Sequence, residues 1–388
     1  MPFAQLVVGF ISLIIWLYLA VARGMFWRVR EFDDDTAARH EAPSAWPRVI
    51  AVVPARNEAA SIRQSVASLL QQNYPGEFSV IVVDDHSEDA TAQLAQQAAR
   101  DVGAESRIKI RSAAPLSAGW TGKLWALHEG VSHADAARAA YYWFTDADIV
   151  HAPDTLQRLV ARAERGQLDL TSLMVLLQAK TLPERALIPA FLFFFLKLYP
   201  PRWIADPRAR TAGAAGGCIL LRSEALQRIG GLAAIRGEVI DDCALARAAK
   251  HSGGKIWMGL TRASVSLRAY TTFAEIRDMI SRTAFTQLRY STALLLGTLA
   301  GMFLTYLAPI ALLFAPGLTP RVSGVCAWAL MGLLYLPTLR FYSRSPLWAP
   351  LLPAVAAFYS YGTILSAVRF WRGSGARWKG RSQADHSR

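Results

Sequence analysis

The sequence predicts an α/β domain on a mostly parallel, helix-covered sheet, set between an N-terminal membrane anchor and apolar C-terminal membrane helices. Three observations carry this. Short β-rich runs alternate with helix-length runs between residues 49 and 164, one long apolar run opens the chain, and three more follow residue 290. The composition agrees, because 53% of the 388 residues are hydrophobic and the mean hydropathy of +0.22 is high for a wholly water-soluble chain.

Lys and Arg outnumber Asp and Glu 42 to 29, a formal charge of +13. Such a balance suits nucleic acid, an anionic bilayer or phosphorylated substrates. No zinc-finger spacing, RNA-binding signature or basic zipper occurs, so no nucleic-acid partner is expected. Cys218, Cys243 and Cys326 lie far apart, without paired metal spacing, among apolar or small neighbours. They are expected to be buried free thiols in a reducing compartment.

Residues 3–22 form an almost unbroken apolar run followed at once by Arg23, Arg28 and Arg30. The length suits a bilayer span, and the positive flank puts the following segment in the cytoplasm. No basic region precedes the run and no small-residue cleavage site closes it, which favours an anchor (1–24) over a cleaved signal. Residues 25–48 read as a linker. β-Rich runs at 49–53, 80–83, 107–110 and 141–145 then alternate with helical runs at 61–72, 89–100, 123–134 and 153–164. Ligands of such sheets bind at the carboxyl ends of the strands. Polar clusters fall there: Pro54-Ala55-Arg56-Asn57-Glu58, Asp84-Asp85-His86-Ser87 and Asp146-Ala147-Asp148. The domain extends over 49–272.

Residues 273–291 are amphipathic, with Arg277, Arg282 and Arg289 interleaved with Phe273, Ile276, Ile280 and Phe285, as an interfacial helix would be. The region 292–371 holds candidate spans at 292–315, 322–339 and 347–370. Three spans after the anchor place the basic tail (372–388) outside, against the positive-inside tendency. A re-entrant or interfacial course for the Pro-interrupted 347–370 segment, or a miscount of spans, would remove the conflict. The apolar stretch 187–199 is too short to span and belongs in the core or at the membrane surface.

Asp146 and Asp148 emerge together where the 141–145 strand ends. Hard cations such as Mg2+ and Mn2+ take carboxylate oxygens and complete their shell with substrate phosphates. A turn with Asp at a helix start explains an isolated Asp-x-Asp equally simply. At the second strand end a carboxylate can accept hydrogen bonds from a base or ribose, while Ser87 or Asp89 caps the next helix. The loop Gly119-Trp120-Thr121-Gly122-Lys123 resembles a phosphate cradle in composition without Walker spacing, so Lys123 either meets a phosphate or opens a helix at the surface. Asp241-Asp242 precedes the helical run 243–251, and a carboxylate there serves as a general base or as a helix cap. Arg289 faces a diphosphate or lipid headgroups.

Taken in order, Pro54-Ala55-Arg56-Asn57-Glu58, Val83-Asp84-Asp85-x-Ser87-x-Asp89, Thr145-Asp146-Ala147-Asp148 and Asp241-Asp242 resemble the family 2 inverting glycosyltransferases. The flanking membrane segments are similar to the ceramide-glucosyltransferase-like branch. Gly119-Trp120-Thr121-Gly122-Lys123, Ile240-Asp241-Asp242-Cys243-Ala244-Leu245-Ala246 and Thr286-Gln287-Leu288-Arg289-Tyr290 resemble the glycosyltransferases associated with bacterial hopanoid biosynthesis. The resemblance implies a GT-A nucleotide-sugar-binding fold and a multi-pass enzyme of the bacterial inner membrane whose catalytic domain faces the cytoplasm. It implies transfer of one sugar, with inversion and a divalent cation (Mg2+ or Mn2+), from a nucleotide-sugar donor, expected to be a UDP-sugar, to a lipid acceptor.

Residue by residue, the resemblance implies that Asp85 contacts the base, with Pro54, Ala55 and Glu58 on the uridine side. Lys123 and Arg289 join the donor site, Asp146 sits near the ribose or diphosphate, and Asp148 binds the metal, with Asp146 as a second ligand. Asp242 stands in the place of the catalytic Asp, and Asp241 stands where Glu is usual, so either is a candidate base. Processive members carry Gln-x-x-Arg-Trp, whereas this chain has Thr286 and Tyr290 around a retained Arg289, which argues for a single transfer. Rival readings are transfer to a polyprenyl phosphate or polysaccharide and, in a different class, a non-catalytic membrane binding or transport protein. The C-terminal spans are nearly free of acidic residues and show no inverted repeat, which counts against transport.

Overall fold

The computed structural model describes residues 2–33, 43–134, 139–373, 377–378 and 381–382. Residues 34–42 of the expected linker and most of the expected basic tail lie outside the described residues. The chain divides into two units. One comprises Met1–Arg30, Ala179–Arg202 and Tyr270–Ala376, the other Glu31–Gln178, Trp203–Ala269 and Arg377–Arg388.

The second unit is built on an eight-stranded sheet: β1 (Val49–Ala55), β2 (Phe78–Asp84), β3 (Ile108–Ser112), β4 (Tyr141–Phe144), β5 (Ile149–His151), β6 (Leu170–Leu176), β7 (Ile219–Arg222) and β8 (Ile256–Ser266). Their order is β3-β2-β1-β4-β7-β6-β8-β5. The first four are parallel, with Val49 of β1 opposite Phe78 of β2 and Tyr141 of β4. β7 runs antiparallel to β4 and β6, while β8 is parallel to β6 and antiparallel to β5. The parallel half follows the strand and helix alternation read from the sequence.

All seven residues of β1 are buried, as a strand covered on both faces requires. Val49, Ala51, Val53 and Ala55 share one face and pack with Ile62, Val66 and Leu69 and with Leu156 and Leu159. On the opposite face helix Gly122–His133 comes so close that a Cβ at Gly130 would lie 2.3 Å from Val52 Cγ1. Each Val, Leu or Ile so buried stabilises the fold by roughly 1.5–3 kcal/mol. This core holds the carboxyl ends of β1, β2 and β4 side by side.

The first unit is helical. Among the described residues four of its segments are long and apolar enough to cross a membrane: Phe3–Val21, Thr292–Leu312, Leu318–Phe341 and Pro346–Trp371. Helix Leu182–Leu198, too short by the sequence criterion, buries Leu187, Ile188, Leu192, Phe193 and Leu196. It therefore follows the core alternative.

Helix Phe273–Gln287 opens with a capping box, Thr272 Oγ1 accepting from Glu275 N and Glu275 returning the bond. It buries Ile276, Ile280 and Phe285 and ends before Arg289 and Tyr290, both in the left-handed region. Cys218 and Cys243 are buried as expected, but Cys326 is exposed. The correction has a simple cause: Cys326 shares the outer surface of an apolar span with Val322 and Val325, where apolar neighbours do not mean burial.

Candidate active site

The loops after β1 and β2 clasp each other. Asn57, in the left-handed region, donates its N–H to Ser87 Oγ at 3.0 Å and accepts from Glu88 N through Oδ1 at 2.9 Å. Glu58 N donates to Thr91 Oγ1 at 2.8 Å and Ala59 N to Asp89 Oδ2 at 3.1 Å. The Glu58 carboxylate accepts from Ser61 Oγ at 3.2 Å. Asp85 is fully buried. Its N–H donates to Ala55 O at 2.8 Å, and the Arg56 guanidinium lies 3.7 Å from its carboxylate. Asp89 thus ties the two loops through Oδ2, while its Oδ1 accepts from the N–H of Thr91, the first residue of the next helix, at 3.0 Å.

A pocket opens beside these loops, lined among others by Pro54, Lys123, Asp146, Gly216, Asp241 and Asp242. Lys123, at the start of helix Gly122–His133, is no surface lysine. Its Nζ lies 2.8 Å from Asp146 Oδ1 and 3.2 Å from Asp241 Oδ2. Burial works to lower its pKa, but the charges of Asp146 and Asp241 outweigh burial and hold the ammonium well above its ordinary value.

Asp242 sits in the first turn of helix Asp241–His251, where Oδ2 accepts from Gly216 N at 2.9 Å and Oδ1 from Cys243 N at 2.7 Å. Burial, and then the charge of Asp241, push its carboxyl up to about 6, against the pull of Lys123 and the two N–H donors. Gly216 is needed there. A Cβ on it would meet Lys123 Nζ at 3.1 Å and Asp242 Oδ2 at 3.4 Å.

Asp146, Lys123, Asp241, Asp242 and Pro54 are therefore brought together in one pocket. Asp85, Ala55, Glu58 and Asp148 are not among the lining residues of this pocket. Asp148 faces β8, its carboxylate accepting from Ser266 Oγ at 3.4 Å and its carbonyl from Leu267 N at 2.7 Å. Arg289 belongs to the helical unit.

Sequence reasoning missed His151. Its Nδ1 accepts from Ser264 Oγ at 2.8 Å, and its Nε2 lies 2.8 Å from Thr145 Oγ1, which itself donates to Gly217 O at 2.9 Å. Since the threonine proton is spent on Gly217, the assigned tautomer carries its proton on Nε2. Burial pushes the imidazole down to about 3. This neutral ring ties the residue before Asp146 to β5 and β8. The available signal was a histidine ending a short apolar strand three residues past Asp148.

Among the described residues no group of three or more His, Cys, Asp and Glu side chains could hold a metal ion. The donor set still fits Mg2+ or Mn2+, which commonly takes only one or two protein carboxylates and completes its shell from substrate phosphates. Asp146 and Asp148 offer two such carboxylates at one strand end, and the Asp146 side chain is 36% exposed.

Against known proteins, residues 50–230 match the model described as Glycosyl transferase family 2. A solved mannosyltransferase, PcManGT from Pyrobaculum calidifontis in complex with GDP-Man and Mn2+, shares the fold with a TM-score of 0.59 at 19% identity, over 94% of this chain and 99% of that one. The 4,4'-diaponeurosporenoate glycosyltransferase of Staphylococcus aureus strain bovine RF122 / ET3-1 is 38% identical over 98 residues, 25% of this chain and 23% of the relative. That of strain USA300 is 37% identical over the same length. The match thus spans about a quarter of these curated relatives. Together these likenesses support a family 2 glycosyltransferase domain with a GT-A fold over residues 50–230.

Proposed function

We propose that the chain is a membrane-bound inverting glycosyltransferase that moves one sugar from a nucleoside diphosphate sugar to a lipid hydroxyl, in bacterial hopanoid biosynthesis. The observation that carries the reading is Asp242, a carboxylate raised to about 6 in the same pocket as Asp146 and next to Asp241, which Lys123 bridges to Asp146. Such a group is ionised at neutral pH yet a stronger base than an ordinary aspartate. Asp242 takes the proton of the acceptor hydroxyl as its oxygen attacks the anomeric carbon. The bond from that carbon to the diphosphate oxygen breaks, and its electron pair leaves with the nucleoside diphosphate. One carboxylate suffices, because the leaving group needs no protonation.

Lys123 holds positive charge in the pocket, where it offsets charge on the departing diphosphate. Asp146 and Asp148 would hold a divalent cation, which when bound neutralises phosphate charge as a Lewis acid. Asp85 is assigned to the base, with Pro54, Ala55 and Glu58 around it, and Arg289 to the diphosphate. A lipid acceptor is supported by the four apolar segments and by relatives named for 4,4'-diaponeurosporenoate. Arg23, Arg28 and Arg30 after the first span support a cytoplasmic face for the domain.

The test is the product. Membranes carrying the protein are incubated with a panel of labelled nucleotide sugars, UDP-sugars first, and label is followed into neutral lipid, polyprenyl phosphate and polymer. Label in a neutral lipid, lost in Asp242→Asn, is the expected result. Label in polyprenyl phosphate or polymer replaces the acceptor assignment, and an active Asp242→Asn together with an active Asp241→Asn overturns the base.

A further inference from the structure

We propose that the helical unit carries a binding site for the oxyanion of an amphiphilic lipid, a phosphate on an acyl-chain carrier, built on Lys197 and the hydroxyl of Tyr306. Lys197 lies near the end of helix Leu182–Leu198 and donates from Nζ to Tyr306 Oη at 2.9 Å. Its ammonium stands 5.3 Å from the Phe194 ring centroid and 4.9 Å from that of Tyr306. Among the described residues no carboxylate pairs with it. The neighbouring charge is another cation: Arg23 donates to the carbonyls of Lys197 and Leu198 at 2.9 and 3.3 Å.

The donors outnumber the acceptors. Lys197 has three protons and spends one on Tyr306, whose oxygen is thereby an acceptor, so the phenol keeps its own proton to give. Two ammonium protons and one phenol proton, on groups 2.9 Å apart, thus have no protein acceptor among the described residues. An oxyanion satisfies all three with charge-assisted bonds. A cation without a counter-ion in an apolar helical unit marks a functional site by default.

A second observation is independent of the charges. Tyr306 lies on a π-helical turn, Phe303–Leu307, within the otherwise α-helical span Thr292–Leu312. Such turns are rare and gather at functional sites. Here the turn is braced: Trp16 Nε1 donates to Thr305 O at 2.7 Å. The Tyr306 ring meets Trp16 edge-on at 5.4 Å and Phe194 at 5.6 Å. The hydroxyl is therefore held in place. Surroundings of Trp16, Phe194 and Tyr359, the last 4.8 Å from Phe194, suit a phosphate delivered on an acyl chain better than a hydrated free ion. Arg23 adds positive charge to the same helix end. This inference does not depend on sugar transfer.

The competing account is that Lys197 only rests its stem and charge on aromatic rings. The two separate by titrating the full-length protein in neutral detergent micelles, read by native mass spectrometry, with dioleoyl-phosphatidylglycerol, dioleoylglycerol or inorganic phosphate. Wild type should bind the phospholipid about tenfold or more tightly than Lys197→Met or Tyr306→Phe, as loss of charge-assisted hydrogen bonds requires. Lys197→Arg should retain most of the binding, and dioleoylglycerol should not distinguish the variants. Tyr306→Phe removes one oxygen and leaves the ring contacts, so it decides the matter alone if Lys197→Met fails to fold. Equal phospholipid binding by wild type and Tyr306→Phe overturns the site. Inorganic phosphate bound as tightly as the phospholipid overturns its assignment to a lipid.

Discussion

If Asp242 is the base, the acid limb of kcat/KM for sugar transfer falls near pH 6, because burial and then Asp241 raise its carboxyl from 3.8 to about 6. Below that limb each pH unit loses about tenfold in rate, as the ionised fraction falls. An unperturbed aspartate would keep the rate flat to about pH 4. Asp241→Asn removes the second-ranked cause of the rise and leaves the first. The limb should then move down by roughly one unit, with the plateau rate largely kept. Lys123→Met removes a charge that holds the carboxyl down, so the limb moves up. The assay is initial transfer rate in membranes across the pH range, at low donor concentration. An acid limb below about pH 5 in wild type would refute the reasoning, as would an upward shift in Asp241→Asn. Loss of Asp241→Asn activity at every pH would transfer the base assignment to Asp241.

Asp148→Ala should weaken the apparent affinity for Mn2+ about tenfold or more, read by the electron paramagnetic resonance of free Mn2+ as well as by activity. His151 is held neutral well below its ordinary 6.5, so its contribution to stability is complete above pH 6.5 and is lost as pH falls toward 3. At pH 5 the loss is about 2 kcal/mol, and thermal melts of wild type should show it while His151→Asn melts depend less on pH. Gly130→Ala pushes a methyl toward Val52 Cγ1 at 2.3 Å and should destabilise the domain by about 1–3 kcal/mol, seen as a lower denaturation midpoint.

The parallel half of the sheet was legible because β1, β2 and β4 are unbroken apolar runs separated by helix-length segments. The other half was not. β5 has three residues and β7 four, too short for a period of two to stand out, and their neighbours across the sheet are remote in sequence. The same cause hid His151, whose partners Thr145 and Ser264 are joined only through β5 and β8. The carboxylates at strand ends were readable from position alone. Lys123 was readable as a candidate, but its partners were not, since Asp146 and Asp241 reach it from segments far apart in the chain.

For Asp242 the sequence offered a helix cap or a general base; the N-cap position is Ile240, and Asp242 lies in the first turn, with Oδ1 accepting from Cys243 N and Oδ2 from Gly216 N. A carboxylate in the first turn of a helix is ordinarily acidified by the N–H groups it accepts from. Gly216 N and Cys243 N do act that way, and Lys123 adds to them. Burial and the adjacent Asp241 act more strongly in the other direction, so the group stays more basic than a surface aspartate. The bonds from Gly216 N and Cys243 N also fix its direction, leaving little rotational freedom to lose when an acceptor hydroxyl arrives. If Asp242 is the base, removing these bonds would therefore harm the reaction twice, by freeing the side chain and by shifting its proton affinity. Gly216→Ala probes this pairing from the backbone side: its methyl would press on Lys123 Nζ at 3.1 Å and on Asp242 Oδ2 at 3.4 Å. A fall of about tenfold in kcat/KM with an unchanged melting temperature is the outcome that ties the rate to this geometry, and an unchanged rate would separate the two.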